Sequence, residues 1–172
     1  CRSLTSISIG NSVTSIGDEA FRDCRNLISI SIPDSVTSIG DGAFLYCSSL
    51  TSVSIPDSVT SIGWNVFGGC RSLTSVSIPD SVTSIGDYAF KGCSSLTSVS
   101  IGNSVTNINY GAFDDCYKLK DVYYSGSQKQ WNKISIGSQN FYLTNAKIHY
   151  NRTSPVLDYT GSAGAHIWLN GN

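Results

Sequence analysis

The chain has 172 residues and a formal net charge of −1, with 11 basic and 12 acidic side chains, and charged residues make up only 13% of it. A nucleic-acid-binding protein or a polybasic membrane-surface protein needs an excess of Lys and Arg to face phosphates, so this balance excludes both classes. Hydrophobic residues reach 40% but are spread evenly, and no run approaches the roughly 18 apolar residues of a membrane span. These values are typical of one domain with a substantial core.

A repeat of constant length runs through most of the chain. The cysteines recur every 23 residues from Cys1 to Cys116. Leu4, Ile16 and Phe21 begin further columns with the same interval. A fixed period of this length is typical of a stacked repeat protein, in which each unit is too small to bury its apolar face alone and neighbouring units bury it.

One unit, at 50–72, predicts a coil with two short strands. Leu50, Val53 and Ile55 alternate with polar residues, which is the period of a strand with one buried face. A Pro-Asp-Ser turn, a second extended segment and Gly63 follow. In three other units an Asp comes directly after this glycine, and we expect its side-chain oxygen to cap a one-turn helix. These capping residues are Asp18, Asp41 and Asp87.

Successive coils are expected to lay parallel strands beside each other, about 4.8 Å apart. Identical side chains then lie above one another in ladders. The inward-facing set consists of Leu, Val or Ile together with Ala, Phe and Cys. The repeat therefore predicts a solenoid, mainly β, with one apolar core along its length.

The pattern L-T-S-V-S-I-P-D-S-V-T-S-I-G-D-x-A-F-x-x-C holds at nearly every position of residues 1–116. It resembles the leucine-rich repeats of the BspA-like family. The resemblance implies a right-handed leucine-rich-repeat coil with short parallel strands, one-turn helices and a C-terminal cap. Members of this family occur in secreted and cell-surface bacterial proteins and are associated with adhesion and protein–protein contact, so it also implies an extracellular location and no catalysis.

Residues 117–150 depart from the repeat as a terminal cap does, and they also resemble the closing segment of such bacterial proteins. Gln128 and Trp131 replace the Val and Ile of the repeat. Ser127 is placed to cap a short helix carrying Trp131 and Ile134. We predict a last strand and a C-terminal cap here. Its further elements are a second short helix with Phe141 and Leu143 and a closing strand with Ile148 and Tyr150.

The two ends of the chain lie outside this pattern. Because Cys1 opens in mid-coil, we expect further repeats or a cap upstream in a longer parent protein. A lipidated first residue is the alternative interpretation of Cys1. Residues 151–172 are rich in Gly, Ser, Thr and Asn and are predicted to be a linker or the start of a further domain.

The cysteines are predicted to be free, buried thiols. In-register ladders keep their Cβ atoms near 5 Å apart, beyond the roughly 3.5–4.5 Å that a disulfide needs. One Cys per coil, with no His in the repeats, forms a row and not a tetrahedral metal site. The histidines, His149 and His166, belong to no nucleophile elbow, phosphate-binding loop or zinc-binding pair. We expect no metal, no cofactor, no disulfide and no catalytic residue.

Outward-facing serines form two ladders on the strand face, beginning with Ser6 and Ser8. Small hydroxyls at a regular spacing can match a lattice such as ice or a crystalline polysaccharide. We favour an inert face, because serine lacks the methyl group that helps a flat surface shed water. Recognition surfaces also carry large anchors, which this face lacks.

Aromatic residues interrupt the repeat along one edge. Trp64 and Tyr110 occupy the capping position in two units and forgo a cap worth about 1 kcal/mol. Because neither residue gains an evident local contact in place of the Asp cap, their presence at this position indicates a function. Tyr88 lies one residue past this position in the unit between, and Tyr46 is near the same edge. We predict an aromatic stripe that stacks on sugar rings or anchors a protein partner; the alternatives are variation on a tolerant edge and packing onto neighbouring coils.

The function predicted from these features is a non-catalytic extracellular binding and adhesion module, secreted or attached to the cell surface. It presents a rigid surface to a protein or a glycan on a host or neighbouring cell. A structural spacer and a glycan-binding accessory module of a larger secreted enzyme are the alternatives. We expect a monomer, with no nucleic-acid partner and no membrane insertion.

Overall fold

The computed structural model describes residues 3–154, so Cys1 and most of the predicted linker at 151–172 lie outside the described residues. The described chain is a parallel β-solenoid, as predicted. In chain order its elements are β1 (Ser6–Ser8), β2 (Ser15–Ile16), β3 (Ser29–Ser31), β4 (Ser38–Ile39), β5 (Ser52–Ser54), β6 (Ser61–Ile62), β7 (Ser75–Ile78), β8 (Ser84–Ile85), β9 (Ser98–Ile101), β10 (Asn107–Ile108), β11 (Asp121–Tyr124), α1 (Gln128–Trp131), β12 (Ser135–Ile136), α2 (Phe141–Thr144) and β13 (Lys147–Tyr150).

Each coil contributes one strand to a long parallel sheet. This sheet has seven strands among the described residues, in the order β1-β3-β5-β7-β9-β11-β13. The shorter strands form a second side of the coil, with the order β12-β10-β8-β6 and a separate pair β2-β4. Each strand therefore neighbours the strand one coil away, as the repeat predicts.

The register of the long sheet stacks identical residues. Ser29 pairs with Ser52, and Ile30 pairs with Val53. The serines of β5 are exposed whereas Val53 between them is buried. Because side chains alternate along a strand, this register stacks the serines of successive coils in two ladders on the outer face and the branched aliphatic residues on the inner face.

The predicted phenylalanine ladder is present. Its ring centroids are 5.2–5.4 Å apart and its rings are close to parallel, with interplanar angles of 4–13°. Together with the Leu, Val, Ile, Ala and Cys columns it forms one core along the stack. The stacked rings are Phe21, Phe44, Phe67, Phe90 and Phe113.

The segment after each short strand is a series of turns, so the prediction of a one-turn helix there is wrong. In the second coil, the N–H groups of Gly42, Phe44 and Tyr46 donate to carbonyls of the following coil. The N–H groups between them bond three residues back within the segment. Positive φ angles of 62° at Gly42 and 61° at Tyr46 break the helical path. Bonding between coils thus replaces bonding along a helix.

The aspartates predicted to cap these helices join neighbouring coils instead. Asp18 Oδ1 accepts a hydrogen bond from the Asp41 N–H at 2.9 Å. Asp41 Oδ1 accepts one from the Trp64 N–H at 2.8 Å, and Asp87 Oδ1 one from the Tyr110 N–H at 3.1 Å. The aspartate column therefore holds successive coils in register.

The cysteine column is buried among the described coils, and Cys24, Cys47, Cys70, Cys93 and Cys116 are free. Four of these thiols, those of Cys47, Cys70, Cys93 and Cys116, donate to a backbone carbonyl. The Cys47 Sγ donates to the Phe21 carbonyl at 3.2 Å, and the Cys93 Sγ donates to the Phe67 carbonyl at 3.3 Å. Burial raises the pKa of Cys47 to about 12, and it raises the pKa of Cys93 well above its ordinary value. These thiols therefore stay protonated.

The segment after the repeats has the elements that its sequence predicts. Ser127 caps α1, and Gln130 completes a reciprocal capping box with it. Ile134 lies beyond the end of α1. The helix buries Trp131, which contacts the buried Tyr124 edge-to-face with ring centroids 5.2 Å apart. No helix in the part of the chain that the structure describes is long and apolar enough to cross a membrane.

The side chain of Asn140 provides the last hydrogen bond in the series that joins the turns of successive coils, although nothing in the repeat pattern singles this residue out. Its side chain is only 3% exposed, accepts from the Phe113 N–H at 3.0 Å and donates to the Asn109 carbonyl at 2.8 Å. One coil earlier, the Phe90 N–H bonds to the Ala112 carbonyl of the next coil. The Asn140 amide thus replaces a backbone carbonyl where the regular turn is missing.

Replacing Phe67 by Ala should lower the free energy of unfolding by about 3–5 kcal/mol, because the ring is fully buried between Phe44 and Phe90 and its loss leaves a cavity. Urea denaturation followed by circular dichroism measures this change. Phe21→Ala is the matched control and should cost less, since Phe21 is half-buried and stacks on Phe44 alone among the described rings. Equal losses in the two variants would contradict the ladder.

The stability of the protein should fall as the pH rises above 9, the ordinary pKa of a thiol, because unfolded cysteines then ionise while Cys47 keeps its proton up to about pH 12. The folded state holds more protons in this range, so alkali favours unfolding. Unfolding free energies at about pH 8 and about pH 10.5 measure the decline. Cys47→Ala should show a smaller decline than the wild type; an identical decline would count against the buried thiol.

Candidate binding groove

Three of the four residues of the predicted aromatic stripe line one surface groove of about 350 Å³. Tyr46, Trp64 and Tyr88 contribute its aromatic side chains. A smaller cleft of about 200 Å³ shares Tyr46, Gly69 and Arg71 with it. We call this the aromatic groove; its principal residues are Tyr46, Trp64, Gly68, Gly69, Arg71, Tyr88 and Lys91.

Two of these aromatic residues occupy backbone positions that suit glycine. Tyr46 has φ 61° and Tyr88 has φ 58°, both in the left-handed region. Glycine occupies the position of Tyr46 in the next two coils, with φ 69° at Gly69 and 72° at Gly92. A bulky residue costs about 1–2 kcal/mol in this conformation. Asp23 and Asp115 occupy the Tyr46 position in other coils, also with positive φ, so the fold imposes this conformation and the tyrosines are the bulky side chains that adopt it.

Each tyrosine ring lies against a glycine one coil further on. A Cβ atom added to Gly69 would lie 2.5 Å from Cδ1 of Tyr46. A Cβ atom added to Gly111 would lie 2.8 Å from Cε1 of Tyr88. Real Cβ atoms do not approach other atoms so closely, so a side chain at either glycine would force the tyrosine ring to shift. The tyrosines and these glycines form two matched pairs across adjacent coils.

Trp64 is the most isolated aromatic side chain of the groove. Its side chain is 44% exposed and makes no ring contact or side-chain hydrogen bond within residues 3–154. Its backbone is nevertheless anchored, since the N–H is bonded to Asp41. Trp64 therefore has no ring partner among the described residues, although the covered half of the residue is consistent with some packing onto neighbouring coils.

Tyr110 adjoins the groove without lining it. Its ring meets Tyr88 edge-to-face, with centroids 5.4 Å apart. The expectation that Tyr110 gains no local contact is therefore wrong, and because the aspartates of this column do not cap helices, no helix cap is lost either. Desolvation, with a smaller contribution from Tyr110, raises the pKa of Tyr88, which stays a neutral phenol. The structure thus brings all four stripe residues to one edge, three in the groove and one beside it.

The cations around the groove differ in whether they are paired. Lys91 Nζ lies 2.9 Å from a carboxylate oxygen of Asp114 and 4.9 Å from the centroid of the Tyr88 ring. The hydrogen bond that Lys91 donates to Asp114 raises the pKa of Lys91, so the amine stays charged. Arg71 is exposed and pairs with no carboxylate in the described part of the chain. Two charged side chains that line the groove, Arg71 and Asp115, therefore have no ion-pair partner among the described residues.

Several groove residues carry no direct signal in the repeat pattern. Gly68 and Gly69 form part of its floor, and Arg71 and Lys91 supply its charge. One sequence feature could have predicted the glycine in the floor. Gly69 follows Tyr46 by one repeat of 23 residues, so a small residue stacks on a large one. Arg71 and Lys91 look like ordinary surface residues until the coils are stacked.

The serine face ends in a different cluster at β11 and β13. Ser98 and Ser100 are followed in register by Asp121 and Tyr123. His149 Nε2 lies 2.8 Å from Asp121 Oδ1, and its ring stacks on Tyr123 with centroids 4.7 Å apart. Within residues 3–154, no group of three or more His, Cys, Asp or Glu side chains is arranged to hold a metal ion.

The stacked coils, the single core and the surface groove define a leucine-rich-repeat solenoid. The family model described as the BspA type leucine-rich repeat region matches residues 1–120 and 60–154 with 6 copies, so the chain belongs to this family. Leucine-rich repeats of this bacterial type generally bind proteins. The resemblance seen in the sequence is thereby confirmed. Comparison with curated proteins gave no match.

Solved structures of bacterial leucine-rich-repeat proteins are similar to this chain. A leucine-rich cell surface protein from Faecalibacterium prausnitzii is 44% identical, with a TM-score of 0.74 over 76% of this chain and 35% of that one. A leucine-rich repeat protein from Eubacterium ventriosum is 26% identical, with a TM-score of 0.69 over 90% of this chain and 39% of that one. The pneumococcal vaccine antigen PcpA, 16% identical, shares the fold with a TM-score of 0.64, over 86% of this chain and 40% of that one. This chain thus spans less than half the length of each.

Gly69→Ala should destabilise the protein more than Gly92→Ala, by about 1 kcal/mol or more. Both glycines have positive φ, but a Cβ at Gly69 strikes the Tyr46 ring whereas the nearest atom to a Cβ at Gly92 is 3.8 Å away. The free energy of unfolding of the two variants measures the difference. Adding Tyr46→Ala to Gly69→Ala should remove it; an excess that persists would contradict the contact between Tyr46 and Gly69.

Proposed function

We propose that this chain is a non-catalytic binding and adhesion module of a secreted or cell-surface bacterial protein, and that the aromatic groove is where its partner binds. One observation carries the proposal. Tyr46 and Trp64 stay 45% and 44% exposed side by side in the groove, although Tyr46 sits in a backbone conformation that opposes it. A feature that costs stability and leaves large aromatic side chains in solvent fits recognition better than packing.

The residue types of the groove suit a binding site. Trp, Tyr and Arg are the residues that most often dominate the energy of interfaces. Trp64, Tyr46 and Arg71 supply these three types within one groove. Aromatic rings bring large contact area with few rotatable bonds, so little entropy is lost when a partner immobilises them.

The stack beneath the groove keeps these groups in place. Fully buried columns, including Phe67 and Phe90, run below the turns that carry Tyr46, Trp64 and Tyr88. Backbone hydrogen bonds from coil to coil fix the turns themselves. A site on such a frame needs little ordering on contact, which favours affinity. The module acts as a monomer in this proposal.

The relatives support a surface location. The Faecalibacterium prausnitzii protein is a cell surface protein, and PcpA is a vaccine antigen. We propose that this chain is secreted or attached to the cell surface. Its partner is a protein or a glycan on a host or neighbouring cell. A spacer role explains the stack equally well but gives no reason for exposed Trp64 and strained Tyr46.

We also propose the division of the chain into repeats over 1–116 and a last strand with a cap over 117–150. The Asn140 side chain supports this division, because it satisfies the Phe113 N–H where the regular turn of a further coil is missing. After β13 the chain continues beside the end of β11. The Asn151 N–H bonds to the Gly126 carbonyl, and the Arg152 N–H bonds to the Tyr124 carbonyl.

Trp64→Ala should weaken partner binding about tenfold or more without changing the melting temperature, because the side chain is exposed and contacts no other ring among the described residues. An array of host proteins and glycans probed with wild type and variant measures the effect. Phe141→Ala is the control, since Phe141 is 68% exposed but lies outside the groove. Equal binding by wild type and Trp64→Ala to every partner found would refute the site.

A further inference from the structure

We infer that the aromatic groove binds an acidic polysaccharide, with a carboxylate of the sugar chain at Arg71 and sugar rings against Tyr46 and Trp64. The inference rests on the proposed role of the groove as a binding site and names the class of its ligand. Three properties of the groove support it: its unpaired arginine, the kind of hydrogen-bonding groups left free, and its shape.

The adjoining cleft is lined by Arg25 and Arg71 and by no carboxylate among the described residues, so an anion fits at Arg71 on this side. Arg71 lines both the groove and the adjoining cleft. The other cations nearby are satisfied within the chain, since Arg25 pairs with Asp23 at 2.9 Å and Lys91 with Asp114 at 2.9 Å. A guanidinium offers a planar fork of donors that matches a carboxylate. A carboxylated ligand therefore supplies the partner that the described chain does not.

Two free polar side chains of the groove can only donate hydrogen bonds. The indole N–H of Trp64 and the guanidinium of Arg71 have no partner among the described residues. Asp115, which also lines the groove, accepts a hydrogen bond from the Tyr117 hydroxyl at 2.7 Å and keeps its negative charge, so we place the ligand's carboxylate at the cleft end of the groove, where the described lining has no acidic residue. A ligand rich in acceptor oxygens thus complements the groove, and an acidic sugar chain carries such oxygens on every ring.

The shape of the groove suits a chain of rings better than an apolar anchor. The groove of about 350 Å³ and the cleft of about 200 Å³ meet at Tyr46, Gly69 and Arg71. Their shared floor includes glycine backbone, and Leu45, the large aliphatic side chain that lines the groove, is buried. A protein hot spot normally fills a closed apolar pocket. Two connected open sites with aromatic walls instead fit consecutive sugar rings, whose C–H faces pack on aromatic side chains.

The experiment measures binding of the purified chain to a panel of acidic polysaccharides: polygalacturonate, alginate and hyaluronate. Wild type should bind at least one of them. The methyl-esterified form of the bound polymer, which keeps the rings and loses the charge, should bind about tenfold or more weakly. Arg71→Gln should reduce binding of the acidic form to a similar extent. Lys129→Gln, the same charge change on α1 outside the groove, should leave it unchanged.

The outcomes separate this inference from the proposed function. Binding of no polymer in the panel, equal binding of the esterified form, or full binding by Arg71→Gln would overturn the acidic-polysaccharide ligand. Poly-L-glutamate is the second arm: if it binds through Arg71 while the polysaccharides do not, the ligand is an acidic protein segment. In each of these cases a partner whose binding still depends on Trp64 would leave the groove as the binding site.

Discussion

Each coil of this protein lies directly on the next, with like residues in contact, and the remaining features depend on that stacking. The Phe44, Phe67 and Phe90 rings are spaced 5.4 Å apart and are fully buried, yet a coil on its own could shield none of them. The same step sets the strand register, the bond from the Cys47 thiol to the Phe21 carbonyl, and the bond from the Trp64 N–H to Asp41. Stability and register therefore have one origin.

Bonds between coils also override local preference. An Asp after a glycine is a good start for a helix, but the following N–H groups find carbonyls of the neighbouring coil and a helix does not form. Left-handed residues such as Tyr46 are needed to turn the chain so that this happens. The series of backbone bonds between turns stops at the Phe113 N–H. This N–H bonds to the buried Asn140 side chain instead of a carbonyl of a further turn, and the same side chain donates to the Asn109 carbonyl.

The groove arises from the same constraint, because stacking couples a residue to its counterpart one coil away. With the rings placed as they are, Tyr46 leaves no room for a Cβ at Gly69, and Tyr88 leaves none at Gly111. Departures from the repeat thus come in matched pairs, a ring on one coil and a bare backbone on the next. These pairs build the walls and floor of the surface that we propose for binding, and they leave Arg71 exposed beside it.

The repeat alone determined the solenoid, the columns that form the core, the serine face and the four aromatic residues of the stripe, since buried and exposed positions follow directly from a period of 23 residues. It also predicted the Ser127 cap of α1. Only the tertiary structure decided that the turns replace helices, that Asp41 bonds to another coil, and that Gly69 and Arg71 belong to the groove. The reason is physical: these partners lie one coil apart, and their contacts depend on backbone φ and ring placement, which local patterns along the chain do not specify.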